Sequence, residues 1–365
     1  MSRVRLDVLR RKEPLRIGFL PVSDCAPLVF AAESGLFEKY DLEVQLQREF
    51  SWAGLRDKVI LGELDAAQAP ATLPFLANLG LESDPCACVS GMVLSLQGNA
   101  IAISRRLWDE GVQSAESLRE RIYKDWGKRT YTFGVVFSYS TQELLLRQWL
   151  KAAGIDPNTA LRIVAIPSTQ MFPTLKLGYI DGYCAAEPWT SVAVHAGVGV
   201  CVATSAEVAP KHPEKLLMVR QSFAAGRADE HQRLLAALLE ACAFCDLPYN
   251  RPYLSEILAS PQYVNAPIDC VRAGLMGPFR LRDRQAQDAR HLPVFHYDHA
   301  NDPTDEKARW IMTGLYELLE ETLFKNKALG HAPVLKNIFR RDIFENGKIA
   351  SLDASAQLVG IPQHA

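Results

Sequence analysis

The sequence of 365 residues lacks the features that mark several large classes of protein. No run approaches about 18 consecutive apolar residues, so the sequence predicts no membrane-spanning helix. Lys and Arg together number 40 against 42 Asp and Glu, and without a long basic run this balance gives no indication of direct nucleic-acid binding. No phosphate loop, dinucleotide fingerprint, HExxH, GxSxG or EF-hand spacing is present in the sequence.

The N-terminus and the cysteines both favour a reducing compartment. The first 20 residues hold six Lys or Arg and no apolar core, so they do not resemble a secretory signal or a lipoprotein leader. The cysteines are scattered and several lie in apolar runs, which is typical of buried, reduced thiols rather than of a disulfide framework. They are Cys25, Cys86, Cys88, Cys184, Cys201, Cys242, Cys245 and Cys270. We therefore expect a cytoplasmic protein, with a periplasmic location as the alternative if the true start includes a leader.

Two cysteine pairs and one group of histidines raise the alternative of a metal site. They are Cys86-Ala-Cys88, Cys242-Ala-Phe-Cys245, and the group His291, His296 and His299. A tetrahedral thiolate site takes two regularly spaced pairs. Here a single residue separates one pair, the other lies on the apolar face of a predicted helix, and the histidines have no regular ligand spacing. We expect neither a metal ion nor a cofactor.

The stretch Leu15–Tyr40 predicts a strand, a short loop and a helix in succession. Leu15–Leu20 is alternating and apolar enough for a buried strand, and a polar loop follows it. Pro27 suits the first turn of a helix because its ring fixes φ and it has no N–H. Gly35 can end that helix in a left-handed turn. With Asp41–Leu46 as the next strand, this β-α-β order indicates a parallel sheet that places ligands at the carboxyl ends of its strands.

The whole chain predicts an α/β protein of two lobes, one of them built from two separate segments. The predicted boundaries are 1–13 for an N-terminal extension, 14–103 and 204–345 for the first lobe, 104–203 for the second, and 346–365 for a C-terminal tail. Two chain crossings, near Asn99–Ser104 and Ala203–Glu207, would form a hinge. Trp108–Arg121 is predicted as one charged amphipathic helix, and Val334–Phe344 as a late helix. A cleft between two such lobes, lined by helix N-termini, is a natural binding site.

Small, hydroxylated or amide-bearing residues, with a few charged ones, recur at the predicted junctions between strands and helices. The candidate ligand-binding residues are Asp24, Ser51, Trp52, Gly54, Thr72, Asn99, Ser140, Glu187 and Lys211. Helix N-termini offer unpaired N–H groups and the positive end of the helix dipole, so this lining suits a small polar ligand. Taken singly, each junction is also explained by helix capping. Because the pattern contains no nucleophile–base pair, no catalytic residue is predicted.

Several segments resemble the nitrate/bicarbonate-binding branch of the type 2 periplasmic-binding-protein family. They are LRIGFLPVSDCAPLVFAAESGLFEKYDLEVQL, SWAGLRDKVILGELDAAQAPATLPF, LQGNAIAIS, LLLRQWLKAAGIDP, EPW, HPEKLLMVR and FRRDIF. The SDCAP–GLFEK opening and the SWAGLRDK–LDAAQAP segment carry most of the specificity, and the match spans residues 14–345. The resemblance implies a two-lobed fold, hinged by two chain crossings, that closes on a small inorganic anion.

The resemblance also implies which residues hold the anion. In the family these are a Trp and a following amide, an amide side chain and a lysine, which carry over here to Trp52, Gly54, Asn99 and Lys211. Lys211 is assigned although Ala209-Pro-Lys-His212 shifts the lysine by one position relative to the family pattern. Thr141-Gln142 stands where transport members often have a histidine, so nitrate, nitrite and bicarbonate all remain open.

Three roles follow from this resemblance. Leaderless members resemble cytosolic nitrate/nitrite sensors, which hold an RNA-binding antiterminator and release it when the anion binds, and this is the favoured role and partner. The alternative is the substrate-binding component of a nitrate/bicarbonate-type ABC importer, with a permease as its partner. The second alternative is a leaderless cofactor-biosynthesis enzyme on the same fold, such as a thiamin-pyrimidine synthase, whose cysteine-rich iron motif this sequence lacks.

Overall fold

The computed structural model describes residues 13–285, 291–323 and 337–359, which form two main β-sheets with helices packed on them. The strands are β1 (Leu15–Phe19), β2 (Val44–Arg48), β3 (Ala66–Pro70), β4 (Cys88–Val89), β5 (Val93–Leu96), β6 (Asn99–Ser104), β7 (Thr132–Val135), β8 (Arg162–Ala165), β9 (Gly182–Ala186), β10 (Gly199–Thr204), β11 (Pro213–Arg220), β12 (Arg280–Leu281) and β13 (Arg284–Gln285). The helices are α1 (Ala26–Glu33), α2 (Leu36–Lys39), α3 (Trp52–Leu61), α4 (Leu73–Leu79), α5 (Arg105–Asp109), α6 (Ala115–Lys124), α7 (Thr141–Ala152), α8 (Met171–Lys176), α9 (Trp189–His195), α10 (Ser205–Val208), α11 (Gln221–Gly226), α12 (Ala228–Asp246), α13 (Arg251–Ala259), α14 (Ile268–Met276), α15 (Asp305–Leu323) and α16 (Arg341–Val359). Within the described ranges, no helix combines the length and apolar character needed to cross a membrane.

The first sheet draws its strands from two separate segments of the chain. Its order is β2-β1-β3-β11-β4, and β5 also pairs with β11. Strand β1 runs parallel to β2 and β3, the arrangement that the β-α-β order predicts. Strand β11 runs antiparallel to β3 and so joins a late segment to the early one. The predicted α/β class is confirmed.

The second sheet has the order β10-β6-β9-β7-β8 and is made from strands between residues 99 and 204. The chain enters it through Gln97 and Gly98, whose φ angles of 50° and 89° are left-handed. Glycine adopts this conformation without steric cost, and a methyl group at Gly98 would also lie 3.1 Å from Pro293 Cβ. The predicted crossing at Asn99–Ser104 is therefore strand β6, and the turn lies immediately before it. The second crossing runs between the end of β10 and the start of β11.

Several local predictions are confirmed where a single residue dictates the backbone. Pro27 lies in the first turn of α1, and Gly35 follows that helix with a φ of 73°. Ser51 caps α3, because its side chain accepts a hydrogen bond from the N–H of Gly54 at 3.1 Å. These caps fix the directions in which α1 and α3 leave the first sheet.

Two predicted elements differ from the structure. The single helix predicted over Trp108–Arg121 is two helices, α5 and α6, because Gly111 has a φ of 94° and Ser114 starts a new helix with its own capping box. The predicted helix Val334–Phe344 begins outside the described residues, and α16 starts only at Arg341. It runs to Val359 and so passes through the start of the predicted tail at 346.

The buried carboxylate of Asp246 binds the backbone of a loop that contacts the first chain crossing between the sheets. Asp246 accepts hydrogen bonds from the N–H groups of residues 295–297 at 2.6–3.0 Å and from Arg251 Nη2 at 3.0 Å. The segment it holds reaches the crossing, since Gln97 Nε2 donates to the carbonyl of Leu292 at 2.8 Å. Asp246 thus fixes the position of residues 295–297, in the loop that contacts the turn at Gln97 and Gly98.

We expect Asp246→Ala to lower the free energy of unfolding by about 3–5 kcal/mol, because it leaves the buried Arg251 without its carboxylate. Glu256→Ala is the matched control, since Glu256 is 64% exposed and contacts Arg272 at 3.4 Å. It should cost no more than about 1 kcal/mol. Urea denaturation measures both values, and equal losses in the two variants would contradict the bracing role.

Candidate ligand-binding site

A fully buried lysine lies where the two sheets meet. Lys215, in β11, is 0% exposed, and its Nζ lies 2.8 Å from Asp24 Oδ2 and 2.6 Å from Glu214 Oε1. The same Nζ lies 5.4 Å from the centre of the Trp52 ring. Asp24 follows β1 and Trp52 follows β2, so the edge of the parallel sheet brings them together. Asp24 also accepts a hydrogen bond from Gln68 in β3.

The charges of Lys215, Asp24 and Glu214 shift one another's pKa values. Burial alone would lower the pKa of Lys215, but Asp24 and Glu214 together hold it above its usual value. Burial would raise the pKa of Glu214, yet Lys215 and His212 hold it below its usual value. Burial, helped by the charge of Glu214, raises the pKa of Asp24 against the pull of Lys215. Lys215 is therefore held as an ammonium and Glu214 as a carboxylate, whereas Asp24 takes up a proton more readily than an ordinary aspartate.

Three buried side chains near this ammonium offer hydrogen-bond donors. They are Trp52 Nε1, Thr72 Oγ1 and Asn99 Nδ2, and none finds a hydrogen-bond partner among the residues that the structure describes. We call them the open donors. A buried donor left unsatisfied costs about 1–3 kcal/mol, so three in one region indicate a ligand that brings acceptors.

The open donors come from different elements that meet at Glu214 and the ammonium. Trp52 lies over the ammonium, and the backbone N–H of the residue before Thr72 donates to the carbonyl of Glu214 at 2.9 Å. Asn99 is joined through Gln142, whose Nε2 lies 2.8 Å from Asn99 Oδ1 and 2.7 Å from Glu214 Oε1. Both lobes therefore contribute to one donor-lined region.

A second contact between the lobes surrounds Glu187, at the end of β9. Its carbonyl accepts from the N–H of Ser23 at 2.7 Å, and Trp189 Nε1 donates to the carbonyl of Pro21 at 2.9 Å. A methyl group at Gly274 in α14 would lie 2.6 Å from Glu187 Cβ, so only a glycine permits this approach. Burial raises the pKa of the Glu187 carboxyl to about 7.

The structure brings some of the predicted residues together and assigns others to helix caps. Asp24 and Trp52 lie at Lys215, Thr72 and Asn99 are connected to the neighbouring Glu214, and Glu187 lies at the second contact. The side chain of Ser51 accepts from Gly54, and that of Ser140 accepts from the N–H of Glu143 at 3.2 Å. The capping explanation therefore accounts for Ser51, Gly54 and Ser140.

The structure does not bring Lys211 into this region. Its φ is 58°, its side chain is 61% exposed, and its Nζ lies 3.2 Å from Asp298 Oδ2. The buried cation is Lys215, which the sequence reasoning missed together with Glu214. A signal was available, because Lys215 opens the apolar run LLMV of a predicted strand, where a lysine must be paired.

The cysteines and histidines give no sign of a metal centre in the part of the chain that the structure describes. No group of three His, Cys, Asp or Glu residues is placed to hold an ion there. All eight cysteines are free thiols, and seven are buried. Burial and the neighbouring Asp24 raise the pKa of Cys25, so this thiol beside the site stays protonated.

The fold and the site together define a two-lobed α/β protein with unsatisfied buried donors where its lobes meet. The family profile described as NMT1-like matches residues 10–259, and the chain belongs to this family. The family resemblance predicted from the sequence is confirmed by relatives that include nitrate- and bicarbonate-binding proteins.

Similar proteins include transport components of cyanobacteria. The chain is 39% identical over 305 residues to the bicarbonate transport ATP-binding protein CmpC of Synechocystis sp., covering 83% of this chain and 45% of that protein. It is 28% identical to the nitrate/nitrite binding protein NrtA of Nostoc sp., covering 82% and 69%. The chain spans about half the length of the curated relatives it matches at 34–39% identity. The crystal structure of the periplasmic nitrate-binding protein NrtA from Synechocystis superposes with a TM-score of 0.84 at 22% identity, covering 96% and 89% of the two chains.

We expect the buried Glu187 to make folding stability depend on pH. Its pKa is raised from 4.5 to about 7, so the unfolded chain releases this proton before the folded one does. The stabilisation is complete below about pH 4.5 and is lost as the pH rises through about 7, amounting to about 3 kcal/mol. The difference in unfolding free energy between wild type and Glu187→Gln, measured by urea denaturation from pH 4.5 to 8, should follow this curve. A difference that stays constant with pH would contradict it, and Glu256→Gln serves as the exposed control.

Proposed function

We propose that this protein binds a small monovalent oxyanion, of the nitrate, nitrite or bicarbonate class, between its two lobes. The observation that carries the proposal is the set of open donors beside the ammonium of Lys215. A planar oxyanion offers acceptors in several directions at once, which suits donors supplied by an indole, a hydroxyl and an amide. The relatives named for nitrate and bicarbonate support the same class of ligand.

Electrostatics supports a small anion of low charge. When Asp24 is protonated, Glu214 alone balances the charge of Lys215, so an anion with two negative charges would add repulsion at Glu214. A weakly hydrated monovalent anion loses little on leaving water, and hydrogen bonds from buried donors to an ion are about twice as strong as neutral ones. The readily protonated Asp24 reduces the remaining repulsion.

The chemistry of the site favours binding over catalysis. Lys215 is held protonated and so is not a nucleophile, and the thiol of Cys25 is held as a thiol. The relatives named as binding proteins agree with this. A cofactor-biosynthesis enzyme on the same fold would need an activated group that these ionisation states do not provide.

We infer that the anion acts as a signal, and that the protein is a cytosolic sensor controlling an RNA-binding antiterminator through closure of its lobes. Support comes from the contact between the lobes at the site, where Gln142 Nε2 of α7 donates to Glu214 Oε1 of β11 at 2.7 Å, so a ligand bound there acts on both lobes. The second candidate, a substrate-binding component of an ABC importer, is favoured by the likeness to NrtA and CmpA.

We expect nitrate, nitrite or bicarbonate at millimolar concentration to bind in isothermal titration calorimetry and to raise the melting temperature by mass action. Trp52→Phe keeps the aromatic ring but removes the indole N–H, so it should weaken binding about tenfold or more. Trp126→Phe is the matched control, because Trp126 is 59% exposed. If none of the three anions binds, or if Trp52→Phe binds as well as wild type, the proposal fails.

The sensor and the importer predict different partners. For the sensor, affinity purification from the native cell should recover an RNA-binding regulator without nitrate and lose it when nitrate is added, because closed and open lobes present different surfaces. Recovery of an ABC permease instead would assign the protein to import. Trp52→Phe should keep the regulator bound at nitrate concentrations that release wild type.

A further inference from the structure

The carboxylate of Glu214 contacts residues of both lobes. It projects from β11 in the first sheet, and its Oε1 lies 2.6 Å from Lys215 Nζ. The same oxygen accepts hydrogen bonds from Gln142 Nε2 at 2.7 Å and from Thr141 Oγ1 at 3.1 Å. Thr141 and Gln142 form the first turn of α7, which packs on the second sheet. All four side chains are 0–1% exposed.

These contacts are the ones that a bound oxyanion would make. An ammonium, an amide and a hydroxyl converge on one negatively charged oxygen at the start of a helix of 12 residues. The positive end of the helix dipole and the charge-assisted hydrogen bonds both favour an anion there. The Glu214 carboxylate thus accepts the same hydrogen bonds that an oxyanion bound from solution would accept.

We propose that Glu214 is a built-in competitor of the anion, which links the two lobes through α7 and must give up its donors when the anion binds. The nature of the ligand rests on the proposed function, whereas the link between the lobes rests on the contacts of Glu214 alone. The anion takes over Lys215 and the donors of α7 and adds the open donors, which Glu214 leaves unused. The competitor lowers the apparent affinity and so sets the concentration at which the site responds.

Asp24 provides a matched comparison. It also lies within 2.8 Å of Lys215 Nζ and is also buried, but its other hydrogen bond comes from Gln68 in the same lobe. Asp24→Ala and Glu214→Ala therefore each remove one carboxyl group from the same ammonium. Only Glu214→Ala removes a link to the second lobe.

The first measurement is small-angle X-ray scattering of the full chain without anion. We expect Glu214→Ala to increase the radius of gyration, and Asp24→Ala to leave it at the wild-type value. Gln142→Ala keeps both carboxylates and removes one donor on the second lobe, so it should also expand the protein even if Glu214→Ala folds poorly. An unchanged radius of gyration in both Glu214→Ala and Gln142→Ala would overturn the link.

The second measurement is calorimetric titration with sodium nitrate and sodium bicarbonate. Glu214→Ala should bind at least one of them about tenfold or more tightly than wild type, since the competing charged hydrogen bonds are gone. Affinity equal to or weaker than wild type would overturn the competition. If no variant binds either of them or sodium nitrite but Glu214→Ala still expands, the proposed ligand class is wrong while the link between the lobes stands.

Discussion

The interior of this protein depends on one buried ammonium and the two carboxyls that face it. Moving an isolated charge such as Lys215 out of water costs several kcal/mol, so the lysine stays buried only because Asp24 and Glu214 lie within 2.8 Å. Asp24 follows β1, and Lys215 lies in β11, which reaches the same sheet from more than a hundred residues away. The ion cluster therefore ties the early and late segments of the first lobe at the point where the crevice opens.

The cluster also forms hydrogen bonds with the second lobe. Glu214 draws the start of α7 towards the first sheet, and Gln142 passes this contact on to Asn99 at the start of β6. Asn99 directly follows the turn at Gly98. The loop that Asp246 holds contacts this turn through Pro293 and through the hydrogen bond from Gln97 to the carbonyl of Leu292. The hinge and the crevice thus share one continuous set of hydrogen bonds, so a change in the crevice acts on the backbone that connects the lobes.

The parts of the fold that single residues dictate could be predicted from the sequence. Pro27 and Ser51 each specify a local backbone, and the alternating early strand led to the correct parallel pairing. Long-range pairing could not be read in the same way. Lys211 and Lys215 are four residues apart, and only the register of β11 against β3 shows which of them turns inward. The break at Gly111 was missed because the apolar spacing continues across it while the backbone does not.

In the function that we propose, the anion has to displace Glu214 and still shift the balance between two arrangements of the lobes. Shifting a two-state equilibrium from 1:99 to 99:1 takes about 5.5 kcal/mol of differential affinity. Glu214 already satisfies the donors of α7, so this difference has to come from the open donors. Each unsatisfied donor is worth about 1–3 kcal/mol, and three of them together offer roughly 3–9 kcal/mol. Trp52 and Thr72 stand on the first lobe and Asn99 at the entry to the second, so these donors are satisfied together only when the lobes are closed. An anion that reaches all three can therefore supply a difference of this size and take the place of Glu214 between the lobes, whereas one that reaches only the ammonium replaces Glu214 without changing the balance.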